Sequence, residues 1–276
     1  MELIMSSPRQ RPLAAADRLR RAYGTYAVVT GASDGIGRAL AMRLAEAGFG
    51  LVLVARRKAV LEALADELEP LTSSRPVVIS ADLSVPDEIA RIDRDTASLD
   101  VGLLVAAAGF GTSGPFVDGD LAAELNMIDV NCRALAQLTH IFAHRFAARR
   151  RGGIVLMSSL VAFQGVPRAA NYAATKAFVQ SLAEGLAPEL KPLGVDVLAS
   201  APGPVMSGFG QRARMAIASG QTPDEVAVGT LNMLGRRTTV RPGFLAKALE
   251  ASLMLLPRAG RAAMLGRVMA GFTRSA

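Results

Sequence analysis

The sequence predicts an α/β protein: a doubly wound parallel sheet with helices on both faces, forming one domain that is followed by a helical C-terminal extension. Three observations predict it. Strand-like apolar runs alternate with helix-like stretches from residue 26 onward, and such alternation calls for right-handed βαβ crossovers. The run VGLLVAA (101–107) is apolar without a break, as in a strand covered on both faces. A glycine-rich turn, TGASDGIG (30–37), directly follows the first run and opens the first helix.

The elements follow in order. YAVVT (26–30) is the first strand, and a helix is expected from Ile36 to Ala47. GLVLVA (50–55) is the second strand, before a helix in which Val60, Leu61, Leu64 and Leu68 recur at helical spacing. PVVIS (76–80) leads to a helix opening near Ser84 and Pro86. After VGLLVAA come GGIVLMSS (152–159), a long helix over 170–190, and GVDVLASA (194–201). This is the pattern of a Rossmann-type sheet of about seven strands. No repeat, low-complexity linker or composition break interrupts residues 22–243. The expected organisation is a basic N-terminal arm (1–21), one domain (22–243) and the extension (244–276). In the extension, Leu245, Leu249, Leu253 and Leu256 could line one helix face, with Lys247 and Glu250 elsewhere, before Pro257 breaks the run; the second basic, apolar stretch that follows could bury in a dimer interface, cover a lipid-like substrate or lie on a membrane.

Composition narrows the function classes. With 51% apolar and 20% charged residues over 276 positions, the chain can bury a sizeable core. Its single cysteine, Cys132, excludes an internal disulfide and a cysteine-rich metal site, which points to a reducing, cytoplasmic setting. No uninterrupted apolar run reaches the ~18 residues of a membrane span, and the N-terminal residues lack the apolar stretch of a secretory signal. The net charge of +7 resides in the ends, +3 in residues 1–21 and +4 in residues 251–276, on a neutral body. A nucleic-acid reader would carry a basic stripe on the fold itself, so no nucleic-acid partner is expected. The basic ends admit two readings, peripheral contact with anionic lipid or solvated termini.

The glycine turn suits a phosphate. Gly31 permits a tight turn, Gly35 lets backbone approach an anion, and Gly37 lets helix pack on strand, while free N–H groups at the helix start face the ligand. The second strand ends in Ala55-Arg56-Arg57. An acidic residue would be expected there for NAD(H); two arginines suit the 2′-phosphate of NADP(H). Asp34, inside the turn, argues the other way. Asp82 could accept from an adenine amino group or cap its own turn.

Tyr172 and Lys176 lie four apart in the long helix and so share a face. A nearby ammonium, together with a positively charged nicotinamide ring, would pull the phenol from its ordinary pKa near 10 into a useful range; a tyrosine merely packed on the core would look the same. Ser159 ends a strand upstream, where its hydroxyl could hold a carbonyl oxygen, and Asn131 sits in a helix before that strand.

Taken together, the glycine turn, Asn131, Ser159, the Tyr172–Lys176 pair and APGPVMS (201–207) resemble the short-chain dehydrogenase/reductase superfamily in identity, order and separation, over roughly residues 24–243. Stretches such as TKAFVQSLAEGLAPEL look most like its long-chain 3-oxoacyl reductase and 17-beta-hydroxysteroid dehydrogenase branch. The resemblance implies an NADP-dependent oxidoreductase that interconverts a secondary alcohol and a ketone, acting on a bulky apolar or acyl-type small molecule as a homodimer or homotetramer. It implies Tyr172 as general acid/base, Lys176 as the residue that lowers its pKa and holds the nicotinamide ribose, Ser159 as the orienter of the substrate oxygen, and Asn131 as holder of a relay water. It implies a cofactor site of Thr30, Gly31, Ser33, Asp34, Gly35, Ile36, Gly37, Arg56, Arg57, Asp82, Leu83, Ala108, Gly109, Tyr172, Lys176, Pro202, Gly203, Val205 and Ser207. One departure stands out: where the family commonly has Asn-Asn-Ala-Gly, this chain reads Ala106-Ala107-Ala108-Gly109, so side-chain bracing of that loop should be lost. This absence is what supports a rival reading, a non-catalytic NADP(H)-binding sensor or scaffold.

Other signals carry less. His140 and His144 share a helical face without a third ligand at plausible spacing, so no metal is expected. Cys132 reads as packing, and Arg149-Arg150-Arg151 as a helix end favoured by the dipole.

Overall fold

In a computed structural model of the chain, which describes residues 14–215, 219–243 and 257–273, the apolar runs pair side by side into one parallel sheet. Its strands are β1 (Tyr26–Thr30), β2 (Gly50–Ala55), β3 (Val77–Ser80), β4 (Val101–Ala106), β5 (Gly152–Met157), β6 (Val195–Ser200) and a short β7 (Thr239–Val240). Their order is β3-β2-β1-β4-β5-β6-β7. The chain therefore reverses its direction of travel across the sheet between β1 and β4, where Thr30 pairs with Ala106. Parallel sheets of this kind open a crevice at the carboxyl ends of the strands beside such a reversal.

The helices are α1 (Ala16–Tyr23), α2 (Gly35–Glu46), α3 (Lys58–Leu68), α4 (Pro86–Asp95), α5 (Leu121–Ile128), α6 (Leu135–Ala148), α7 (Ala170–Leu190), α8 (Phe209–Arg212), α9 (Pro223–Met233) and α10 (Arg258–Thr273). Alternate strand residues enter two separate cores. Ala27, Val29, Leu51, Leu53, Leu103 and Val105 pack under α2, α9 and α1 with Leu40, Leu44, Leu231 and Leu19. Val28, Val52, Val54, Leu104, Ile154 and Leu156 pack under α4, α6 and α7 with Ile92, Phe142 and Val179. Burial on both faces is why these strands read as unbroken apolar runs, and each fully buried Val or Leu contributes about 1.5–3 kcal/mol.

α2 and α9 are joined by charge as well. Arg43, 3% exposed, donates from Nε and Nη2 to the two carboxylate oxygens of Asp224 at 2.5 and 2.6 Å. α9 starts with a reciprocal cap between Thr222 and Glu225.

Several boundaries differ from the sequence reading. β3 starts at Val77 and β5 ends at Met157, so Ser159 lies just past its strand and caps a short turn. The segment expected as a basic arm is helical from Ala16: Leu19 is fully buried, and Arg18 donates to the carbonyl oxygens of Leu234, Leu231 and Asn232 at the end of α9. Its guanidinium is therefore spent inside the fold. Arg149 likewise donates to Asp100 and to Val101 O. The expected helix carrying Leu245, Leu249, Leu253 and Leu256, and residues 1–13, lie outside the described residues. Among those described, no helix is long and apolar enough to cross a membrane, and no cluster of metal-binding side chains forms.

Candidate active site

The glycine turn closes tightly at the carboxyl end of β1. Gly31 has a left-handed backbone (φ +69°), and a Cβ there would lie 2.8 Å from the Cα of Ala108; a Cβ on Gly37 would lie 2.3 Å from Gly31 O. Only glycine fits either place. Asp34 caps α2, accepting from the N–H of Gly35 at 2.7 Å. Its carboxylate is thus directed at its own helix.

At the end of β2, Arg57 donates from Nη2 to the carbonyl oxygen and the hydroxyl of Ser33 at 3.1 and 3.2 Å, which sets the guanidinium on the rim of the glycine turn. Arg56 is exposed beside it. Asp82 accepts from the N–H and hydroxyl of Ser84 through one carboxylate oxygen, Oδ1. These bonds and the charge of Arg56 hold its carboxyl below the usual carboxylate range, against the opposing effect of burial. The capping reading of Asp82 is realised, and its Oδ2 takes no part in that cap.

Behind the turn, two polar side chains brace the loop after β4. The hydroxyl of Thr30 accepts from the N–H of Ala108 at 3.1 Å. Asn131, fully buried, accepts from Phe110 N at 3.1 Å and donates to Phe110 O at 2.9 Å and to the Thr175 hydroxyl at 3.1 Å. The loop that lacks the expected asparagines is therefore stitched from two other directions. Both polar atoms of the Asn131 amide are engaged, so its side chain braces this loop. It sits in a stretch of wider, π-helical winding, Asp129–Ala134, a local irregularity common at functional sites. Spacing in the sequence carries no sign of it.

Tyr172 and Lys176 project from the first turns of α7. Ser158 anchors this helix by donating to Lys176 O at 3.2 Å, and Lys176 Nζ donates to Met157 O at 2.8 Å. The Tyr172 ring is half-buried, 5.4 Å from the ring of Phe209, with Lys176 Nζ 5.8 Å from its centroid. Burial pushes the phenol up to about 12, and the Ser159 hydroxyl acts in the opposite direction. Burial pushes Lys176 down to about 8, opposed weakly by Cys132. Desolvation governs both groups, and the expected depression of the phenol calls for the nicotinamide's positive charge as well as the ammonium of Lys176.

These groups floor one cleft of about 500 Å³. Every residue expected at the site lines it except Thr30 and Asn131, which stand behind as braces. The glycine turn, Arg56 and Arg57 form one end. At the other, Phe209, Met215 and, from α10, Met264, Leu265, Val268 and Met269 form an apolar wall. Of the roles open to the stretch after Pro257, this placement favours cover for the substrate, although no individual α10 residue could be assigned to the site from sequence.

A cradle closed to side chains at Gly31 and Gly37, with guanidinium groups at its rim, fits a dinucleotide phosphate; a phenol and a serine hydroxyl lining the same cleft can hold a carbonyl or alcohol oxygen and exchange a proton with it.

Comparison with known proteins agrees with this geometry. Residues 25–217 match the family model described as short chain dehydrogenase. A 7beta-hydroxysteroid dehydrogenase from Clostridium sardiniense is 32% identical over 228 residues, 81% of this chain and 87% of that protein. A very-long-chain 3-oxoacyl-CoA reductase from Podospora anserina is 40% identical over 179 residues, 63% of this chain but only 53% of that protein. A solved short-chain dehydrogenase from Sphingobium yanoikuyae in complex with NADPH superposes with a TM-score of 0.74 at 32% identity, covering 83% of this chain and 93% of that one.

Proposed function

The chain belongs to the short-chain dehydrogenase family and is an oxidoreductase, and from that premise we propose that it interconverts a ketone and a secondary alcohol with NADP(H). The observation that carries the reading is that Ser159, Tyr172 and Lys176 line one cleft that runs from the glycine turn to an apolar wall.

In reduction, Ser159 orients the substrate oxygen beside Tyr172, and the neutral phenol, favoured by burial, gives its proton to that oxygen. The bound dinucleotide supplies the hydride. Lys176, held by Met157 O, places its ammonium beside the phenol and offsets the phenolate left behind. Thr30 and Asn131 fix Ala108–Phe110 so that backbone groups stay in place when the cofactor enters. Arg57, seated on Ser33, and Arg56 receive the 2′-phosphate, which gives NADP(H) preference over NAD(H).

The apolar wall from α10 suits a bulky, hydrophobic substrate, consistent with relatives named for a hydroxysteroid and for very-long-chain 3-oxoacyl-CoA. Exposed Val117, Leu121, Leu125 and Ile128 on and before α5 favour an oligomer of identical subunits. We place it in the cytoplasm; exposed Arg258 and Arg267 on α10 leave peripheral contact with anionic lipid as the alternative to a fully solvated end.

The test is NADPH and NADH consumption against 3-oxoacyl thioesters, oxo-steroids and small ketones, with Tyr172→Phe as control. NADPH binding without turnover of any member would favour the non-catalytic sensor or scaffold.

A further inference from the structure

A second lobe of about 550 Å³ opens beside the catalytic cleft, and Arg56, Phe110, Ala169 and Arg212 border both. Its lining includes Arg168 and Arg214. These two have left-handed backbones, φ +65° and +54°, and only one other non-glycine among the described residues does. A turn needing that conformation is served most easily by glycine, so the turn itself does not explain an arginine at 214.

The loop after β4 holds both turns in place. Gly114 N donates to Arg168 O at 2.8 Å, and the Ser113 hydroxyl donates to Ala213 O at 2.6 Å and Arg214 O at 3.2 Å. Three acidic residues share the lobe. Glu124 is spent, accepting from Thr112 at 2.7 Å and from Asn171 at 2.6 Å, and Asp120 accepts from Ala122 N at the start of α5. Asp118 is exposed. Among the described residues, Arg212 and Arg214 form no ion pair.

We propose that the substrate carries an anionic group, carboxylate or phosphate, remote from its carbonyl, and that Arg212 and Arg214 receive it in this lobe while Tyr172 meets the carbonyl. The inference rests on the oxidoreductase reading and adds a substrate class to it: an amphipathic carbonyl compound with an apolar body for the α10 wall and a charged end for the arginines.

The test uses matched pairs. A long-chain 3-oxoacyl-CoA is compared with the same acyl chain on neutral N-acetylcysteamine, and an oxo-steroid carboxylate with its methyl ester. The first pair reports phosphate and the second carboxylate. We expect kcat/KM to favour the charged member of at least one pair by about tenfold or more, with the preference shrinking as salt is added. In the Arg212→Ala/Arg214→Gly variant the charged-to-neutral ratio should fall toward one; glycine suits the left-handed backbone at 214, so the turn is kept. Equal kcat/KM within both pairs overturns the proposal, as does a ratio the variant leaves unchanged. Calorimetry of each charged member on the NADP⁺-loaded protein separates the two readings. Binding lost in the variant but without turnover upholds the arginine site and sinks the ketone reductase, whereas turnover without charge preference does the reverse.

Discussion

Lys176 Nζ donates to the carbonyl oxygen of Met157 at 2.8 Å, so the base of α7 is tied to the end of β5 through the same ammonium that stands beside Tyr172. Because Lys176 is 5% exposed, burial lowers its pKa to about 8 from the ordinary 10.5. The group is charged below about 8 and neutral above it. NADPH affinity, read by its fluorescence, should therefore fall by about tenfold as pH rises past 8. The Lys176→Met protein should lack this step; an identical step in the variant would assign it to another group.

The same shift predicts stability. Between pH 8 and 10.5 the unfolded chain keeps a proton on Lys176 that the folded chain has lost, so this group makes stability rise with pH across that window. Urea midpoints at pH 7.5 and 9.5 should differ more in the natural protein than in Lys176→Met. A rise of the same size in both would exclude Lys176 as its source.

Tyr172→Phe removes the proton donor but keeps the ring against Phe209. Turnover of any ketone accepted by the natural protein should drop by about 10²–10⁴-fold, with thermal stability little changed. Undiminished turnover would move the acid elsewhere.

Arg57→Ala takes away the guanidinium seated on Ser33. NADPH affinity should weaken by roughly 10–100-fold, the size of a charge-assisted bond to phosphate, while NADH affinity stays close to its starting value. Equal losses for the two cofactors would mean that Arg57 merely supports the turn.

Asn131→Ala strips both hydrogen bonds from Phe110 in a fully buried setting. A loss of about 2–4 kcal/mol in urea unfolding is expected, accompanied by weaker NADPH binding. Stability within ~0.5 kcal/mol of the natural protein would mean that the brace is redundant.

Much of the architecture was readable because strand burial on two faces leaves an unbroken apolar run, as in Val101–Ala106, and because Gly31 and Gly37 occupy places no side chain can. Tyr172, Lys176 and Ser159 could be picked out by order and spacing. What Asn131 does could not, since its π-helical winding and its grip on Phe110 depend on packing between α7 and the loop after β4. The pKa balance at Tyr172 was also out of reach: spacing reports a neighbouring charge but not how deeply both groups are desolvated. For the stretch that forms α10 the sequence leaves substrate cover, membrane contact and an interface side by side, because its stripe has no neighbouring motif to connect it with the cleft.

That wall has a consequence for the order in which the site comes into being. The dinucleotide cradle is drawn from the first strands to be synthesised, whereas Met264, Leu265, Val268 and Met269 follow every other residue of the cleft. A chain stalled on the ribosome after β7 would already carry the cradle, Ser159, Tyr172 and Lys176, yet its proton donor would face water where the finished enzyme faces hydrocarbon. The residues for cofactor recognition are thus complete before those that shelter the substrate, which are the last of the cleft to be made.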